Sequence, residues 1–314
     1  MEYRNLGNSG LKISSLSFGS WVTFVNQLTE KTAMTCMSLA YDSGVNFFDN
    51  AEVYASGKSE ILMGRILKKL RWPRDSYIIS SKVFWGGELP TQRGLSKKHI
   101  HDGCNNALKR FQTDYIDLFY CHRPDPETPI EETVFAMNDL IKQGKILYWG
   151  TSEWSATEIE HAFKIAAKFN LRGPTMEQPQ YNLLYRHRFE IEYKPIFKKY
   201  NLGTTTWSPL ASGVLSGKYI KRTPSKNRFK IKGYEWLQEE LLKEEFIPKI
   251  SLIQEISSSL NISMAQLSIA WCLKNKNVSS VILGASKKSQ LKENLKSLEA
   301  LPKLNDEIIS ILNK

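Results

Sequence analysis

The chain has 314 residues, 41% hydrophobic and 24% charged, with a formal net charge of +11. That balance excludes wholesale disorder, and no run of about 18 apolar residues offers a transmembrane helix. The opening residues, Met1 to Gly7, lack the apolar stretch of a secretory signal.

The chain then alternates short apolar runs with helical patterns. Tyr3 to Ile13 reads as a hairpin turning around Asn8–Gly10. Strands are expected near 14–19, 45–49, 77–82, 115–120, 145–150, 175–178, 203–207 and 280–283. Helices are expected from about Lys58 to Lys69 and after Ser96, where Ile100, Cys104, Ala107, Leu108 and Phe111 share one face. Thr128-Pro129-Ile130-Glu131, Ser155-Ala156-Thr157-Glu158 and Ser263-Met264-Ala265-Gln266 each read as a capping box, the first with proline at the first helical position. The stretch from Leu210 to about Ser279 is too long for a simple loop, so it holds an insertion plus helices. Final helical patterns lie at about Lys287–Lys296 and Asp306–Leu312.

Eight strands alternating with helices predict an α/β fold, a (β/α)8 TIM barrel with an N-terminal β-hairpin and a long loop after strand 7. The alternative is an open doubly wound sheet, but no G-x-G-x-x-G opens the first helix. No repeat or linker divides the chain, so residues 1–314 read as one domain. Cys36, Cys104, Cys121 and Cys272 are isolated within apolar segments. They are expected to be reduced core thiols of an intracellular, cytoplasmic protein.

The positive charge fits nucleic acid, a membrane surface or a phosphate-bearing ligand. Seven basic and no acidic residues lie between Lys218 and Lys232. On charge alone this run is a solvated loop, and no nucleic-acid motif accompanies it.

In such a barrel the active site lies at the C-terminal ends of the strands. That rule selects Asp49 with Glu52 and Tyr54, then Lys82, His122-Arg123, Thr151-Ser152-Glu153, Glu177-Gln178, Trp207-Ser208-Pro209 and Gly284-Ala285-Ser286. Alone, Asp49 reads as a cap, Tyr54 as a packed ring, Lys82 as an ion-pair member and His122 as a buried barrel histidine. Together they suit proton delivery to a carbonyl oxygen. A free tyrosine, with a pKa of about 10, is a poor acid at neutral pH. A nearby ammonium stabilises the phenolate, a carboxylate keeps the ammonium charged, and an imidazole polarises the substrate oxygen. Neither G-x-S-x-G nor H-E-x-x-H occurs, and no metal site is expected; His99 and His101 fall on an outer helix as surface or packing residues.

Asp49-Asn50-Ala51-Glu52-Val53-Tyr54, Gly57, Lys82 and His122 resemble the aldo-keto reductase family. Phe84-Trp85-Gly86-Gly87, Arg123-Pro124-Asp125-Pro126, Tyr148-Trp149-Gly150-Thr151-Ser152, Trp207-Ser208-Pro209-Leu210-Ala211 and Ala270-Trp271-Cys272-Leu273 resemble more narrowly the voltage-gated potassium channel beta subunits. The resemblance runs from Tyr3 to about Leu301 and implies NADPH-dependent reduction of small aldehydes and ketones. By it, Tyr54 is the proton donor, Asp49 and Lys82 tune it, and His122 orients the carbonyl. Trp207 stacks on the nicotinamide, and Ser152 and Gln178 bind its carboxamide. Ser20, Trp21 and Gln27 lie on the cofactor side. Ser208, Pro209, Leu210, Ala211, Ser212 and Lys218 belong to the loop over the pyrophosphate. Arg228, Gly284, Ser286, Gln290, Glu293 and Asn294 hold the adenosine and 2′-phosphate end, which argues for NADP(H). A helix starting at Ser286 and the basic run would supply N–H groups and cations for phosphates.

The sequence departs from animal beta subunits, which carry asparagine at the position of His122 and arginine at that of Glu153. Lys226 and Ser212 are further departures. Two functions are therefore expected: an NADPH-dependent carbonyl reductase, which His122 favours, or a regulatory potassium channel beta subunit sensing redox state through NADP(H). A four-fold homo-oligomer follows from the resemblance. A basic nucleic-acid-binding barrel has only net charge behind it.

Overall fold

The apolar runs become strands, and their register sets which side chains share the rim. In a computed structural model the chain forms a hairpin of β1 (Tyr3–Asn5) and β2 (Lys12–Ser14), followed by eight barrel strands. These are β3 (Leu16–Gly19), β4 (Phe47–Asp49), β5 (Ile78–Val83), β6 (Ile116–Cys121), β7 (Ile146–Thr151), β8 (Met176–Glu177), β9 (Gly203–Thr206) and β10 (Ser280–Leu283). All neighbouring pairs are parallel, and β10 pairs with both β9 and β3, which closes the ring. The sheet is thus the expected barrel and not the open alternative. Residues 1–21, 24–25, 28–219 and 243–314 are described; Gln27, Lys226 and Arg228 lie outside them.

The helices α1 (Glu30–Asp42), α2 (Lys58–Leu70), α3 (Lys97–Phe111), α4 (Ile130–Lys142), α5 (Ala156–Lys168) and α6 (Lys194–Tyr200) fall between successive strands. Past β9 come α7 (Ile247–Ser259) and α8 (Met264–Lys274); α9 (Lys288–Leu295), α10 (Ser297–Ala300) and α11 (Asp306–Asn313) follow β10. Ser155 and Ser263 make the expected capping boxes, each accepting from the third helical N–H. Thr128 does not cap α4: its hydroxyl is turned to Asp125 Oδ2, to which it donates at 2.7 Å, and the flanking residue is Pro129, which has no polar side chain to offer. Ser286 does not begin α9 either. Its N–H and hydroxyl both donate to Gln290 Oε1 at 2.9 Å, and the helix starts at Lys288.

Two apolar cores follow from the period of two along each strand. Phe48, Ile79, Phe119, Trp149 and Val281 face outward to the helices. Phe47, Ile78, Leu118, Tyr120, Met176 and Ile282 face inward, joined by Leu6 and Ile13 of the hairpin, which plugs the barrel floor. The plug needs close backbones: a Cβ on Gly7 would lie 2.4 Å from Gly203 N, and Gly7 has φ +59°. All four cysteines are buried and unpaired, and burial pushes the Cys104 thiol up to about 12. No helix of the described residues is long and apolar enough to cross a membrane.

Candidate active site

The same period places polar side chains above the inner apolar layer. Asp49 follows Phe47, Lys82 follows Ile78 and Ser80, His122 follows Leu118 and Tyr120, and Gln178 follows Met176. Register levels them: Val83 pairs with Cys121, Cys121 with Thr151, and Thr151 with Glu177. The ladder runs one step further. His122 N donates to Val83 O at 3.0 Å, Ser152 N to Cys121 O at 2.9 Å and Gln178 N to Thr151 O at 2.8 Å. His122, Ser152 and Gln178 therefore stand side by side on one rim.

Lys82 is the hub of the rim. Its buried Nζ lies 2.8 Å from both oxygens of Asp49, 2.7 Å from Asn50 O and 3.2 Å from the Tyr54 hydroxyl. An ammonium has three protons. Asp49, the Asn50 carbonyl and the Tyr54 oxygen take one each, so the phenol is the acceptor in its bond to Lys82. Asp49 is further fixed by Ser80 Oγ at 2.8 Å and Gln178 Nε2 at 3.1 Å, both donating to Oδ1. Burial lowers the Lys82 pKa, and Asp49 opposes that shift. The carboxylate thus works against the desolvation of the ammonium, in the direction expected of a partner that favours its charged form.

The His122 ring is buried, with its centre 5.9 Å from that of Tyr54. Burial first, then the positive charges of Lys82 and Arg123, holds its pKa well below the ordinary histidine range. It is therefore neutral at neutral pH and carries one ring N–H. Its Nδ1 is enclosed and has no partner among the described residues.

The expected cofactor-side residues form two groups. Near Tyr54, the Ser20 hydroxyl and N–H donate to Asp49 O at 3.0 and 3.1 Å. Trp21 meets Trp207 edge-on at 5.7 Å. Ser152 Oγ donates to Gln178 O at 2.9 Å. Past β9, Ser208, Ala211, Ser212 and Gly213 have φ of 56°, 44°, 52° and 99°, a left-handed backbone that non-glycine residues adopt only under constraint. Pro209 and Ala211 are buried there, and Leu210 O accepts from Gly213 N and Leu215 N. A Cβ on Gly213 would lie 2.3 Å from Lys218 Nζ, so the ammonium folds onto this turn. Buried Ser212 Oγ has no partner among the described residues. The second group lies past β10. Gly284, Gln290 and Glu293 are exposed, Asn294 is buried, and Ser286 is tied to Gln290.

Three relationships lie outside the sequence reading. Glu153, at φ 60°, accepts from Trp207 Nε1 at 2.9 Å and Gln180 N at 2.6 Å through Oε1, and from Arg188 at 2.6 Å through Oε2. Glu177 is fully buried beneath it, accepting from Thr151 and from Glu153 N at 2.6 Å. Burial pushes its pKa up to about 8. Trp85 stands over the site, its ring 5.1 Å from that of His122. His99 packs beneath the Trp85 loop, with Nδ1 2.8 Å from Gly94 O and Nε2 3.5 Å from Glu52. The signal for Trp85 is an aromatic before paired glycines just past a strand; Glu153 and Glu177 were selected by their strand-end positions, but their pairing carried no signal because the partners are distant in sequence.

A phenol that accepts from a buried ammonium and lies beside a neutral imidazole has the chemistry to hand a proton to an oxygen and to hold the resulting phenolate. The chain belongs to the aldo/keto reductase family, a family of oxidoreductases whose model matches residues 15–314. A rice protein (Oryza sativa subsp. japonica) named a probable voltage-gated potassium channel subunit beta is 51% identical over 310 residues, covering 98% of this chain and 94% of its own. An Arabidopsis thaliana protein of the same name is 52% identical over 305 residues, covering 97% and 93%. Family members generally bind NAD(P)H.

Proposed function

We propose that this chain is an NADPH-dependent reductase of aldehydes and ketones in which Tyr54 is the proton donor. The observation that carries the reading is the single ammonium of Lys82 bonded to Asp49 and to the Tyr54 hydroxyl. A carbonyl oxygen at the rim receives the Tyr54 proton. Lys82 stabilises the phenolate left behind, and Asp49 balances Lys82. His122, neutral, donates a hydrogen bond to the same oxygen and draws charge onto it. Buried walls around this set keep water from competing for the proton.

The residues present fit a nicotinamide dinucleotide. Ser212 Oγ, unpartnered among the described residues, the left-handed turn and the Lys218 ammonium suit an anionic pyrophosphate. Ser20, Trp21, Asp49, Ser152, Gln178, Trp207, Ser208, Pro209, Leu210 and Ala211 would hold the nicotinamide half. Gly284, Ser286, Gln290, Glu293 and Asn294 would hold the adenosine half. When bound, the reduced nicotinamide supplies the hydride that completes carbonyl reduction. The displaced start of α9 gives the Ser286 N–H to Gln290, so 2′-phosphate recognition falls more on side chains than on a helix terminus.

The test is NADPH oxidation with 4-nitrobenzaldehyde. One alcohol per NADPH consumed is expected, with NADH weaker at equal concentration. Retention of NADPH without alcohol formation would overturn the reading.

The names of the two plant relatives favour a second reading, a potassium channel beta subunit; to it the family resemblance of the sequence adds a cytoplasmic four-fold ring with NADP(H) as its redox signal. Both readings can hold for one chain. Light scattering at the mass of four chains, with co-purification of a channel's cytoplasmic domain, is the expected result; a monomer that binds no channel would overturn this second reading.

A further inference from the structure

Arg123 follows His122 at the end of β6 and is half-buried. Its NH1 group donates to His122 O at 2.5 Å and to Ser152 Oγ at 3.4 Å. The guanidinium carbon lies 5.4 Å from the centre of the Trp85 ring, which itself meets His122. Arg123 is thus fixed through one nitrogen and backed by an indole, immediately outside the set proposed to act on the carbonyl.

Its charge is not balanced within the described residues. The nearby carboxylates are engaged elsewhere: Asp49 with Lys82, Glu153 with Arg188, and Asp125 with Leu95 N and Thr128. Other partly buried arginines do hold carboxylates, Arg74 with Asp117 and Arg110 with Glu60. A half-buried guanidinium without a counter-charge has lost hydration and gained no pairing energy. Its field also reaches the reacting groups, because Arg123 lowers the proton affinity of both His122 and Lys82.

We infer that Arg123, backed by Trp85, is an anion subsite at the mouth of the pocket, and that the preferred carbonyl substrates carry a carboxylate near the carbonyl. This rests on the reading of the rim as a carbonyl-reducing site. A guanidinium presents several N–H donors in one plane, a match for the two oxygens of a carboxylate. The indole and imidazole walls favour a monoanion, which is cheaper to dehydrate than a phosphate dianion.

The test compares kcat/KM for three acids with their methyl esters: 4-oxobutanoate, 3-carboxybenzaldehyde and 4-carboxybenzaldehyde. They place the carboxylate at different distances. In at least one pair the acid should be preferred about tenfold, as a charge-assisted hydrogen bond implies. Arg123→Met should bring that acid-to-ester ratio near one, and Arg123→Lys should restore part of it. General damage to the site moves acid and ester together, so the ratio isolates the subsite. Equal use of acid and ester in every pair, or a ratio unchanged in Arg123→Met, overturns the subsite while ester turnover still upholds carbonyl reduction. Failure of all six compounds to oxidise NADPH overturns both.

Discussion

Lys82 Nζ lies 3.2 Å from the Tyr54 hydroxyl while sharing both oxygens of Asp49 at 2.8 Å. Lys82→Met leaves a buried carboxylate without its cation, a change that typically costs about 3–5 kcal/mol. Turnover should fall by about 10²-fold or more, since the phenolate loses its stabilising charge. The double variant Asp49→Asn/Lys82→Met should regain much of the stability and none of the turnover, as read by urea unfolding and NADPH oxidation. Recovery of turnover in the double variant would remove the ammonium from the proton path.

Glu177 gives a pH dependence whose sign is set by burial. Its carboxyl titrates at about 8 in the fold against 4.5 unfolded. The fold therefore binds the extra proton, and this contribution to stability is complete below about pH 4.5. It is lost as pH rises through about 8, by up to about 5 kcal/mol. Glu177→Gln imitates the protonated acid, so unfolding midpoints at pH 5, 6.5 and 8 should lose most of that slope. An equal slope in both proteins would mean that Glu177 is ionised in the fold at neutral pH.

The His122 ring has the opposite sign. Its folded pKa lies well below the ordinary 6.5, so its contribution is complete above pH 6.5 and is lost as pH falls toward the folded value. The rate of carbonyl reduction should show no titration near pH 6.5, and His122→Asn should slow it with NADPH affinity little changed. An unchanged rate would exclude the imidazole from carbonyl polarisation.

Trp207 is tethered by its N–H to Glu153 at 2.9 Å and braced edge-on by Trp21. Losing the tether in Glu153→Leu should weaken NADPH binding about fivefold, the scale of one net hydrogen bond. Glu153→Gln keeps an acceptor and should retain most of the affinity. Quenching of tryptophan fluorescence by NADPH reads both, and equal affinities in all three proteins would detach Trp207 from the cofactor.

The barrel was legible because its strands are short apolar runs separated by capped helices, and because strand ends select the rim. Asp49, Lys82, His122 and Gln178 emerged from that rule, and Tyr54 lay five residues beyond the first of them. What the strand ends do not encode is cross-chain pairing. Glu153 meets Trp207 and Arg188 across 54 and 35 positions, and only closure of the barrel brings them together. Thr128 matched the pattern of a cap, but its hydroxyl is turned to Asp125 Oδ2, three residues earlier, and no helix N–H reaches it. Ser286 gives its N–H and hydroxyl to Gln290, and the helix starts two residues later. Local side-chain hydrogen bonds of this kind accompany a shift of a helix terminus by one or two residues without altering the fold.

Single-turnover mixing of NADPH-loaded protein with 4-nitrobenzaldehyde, followed by loss of nicotinamide absorbance, decides whether Tyr54 delivers the proton. Rapid oxidation is expected in the parent chain, with a drop of about 10²-fold or more in Tyr54→Phe at unchanged NADPH affinity. Oxidation at the parent rate in Tyr54→Phe would contradict it.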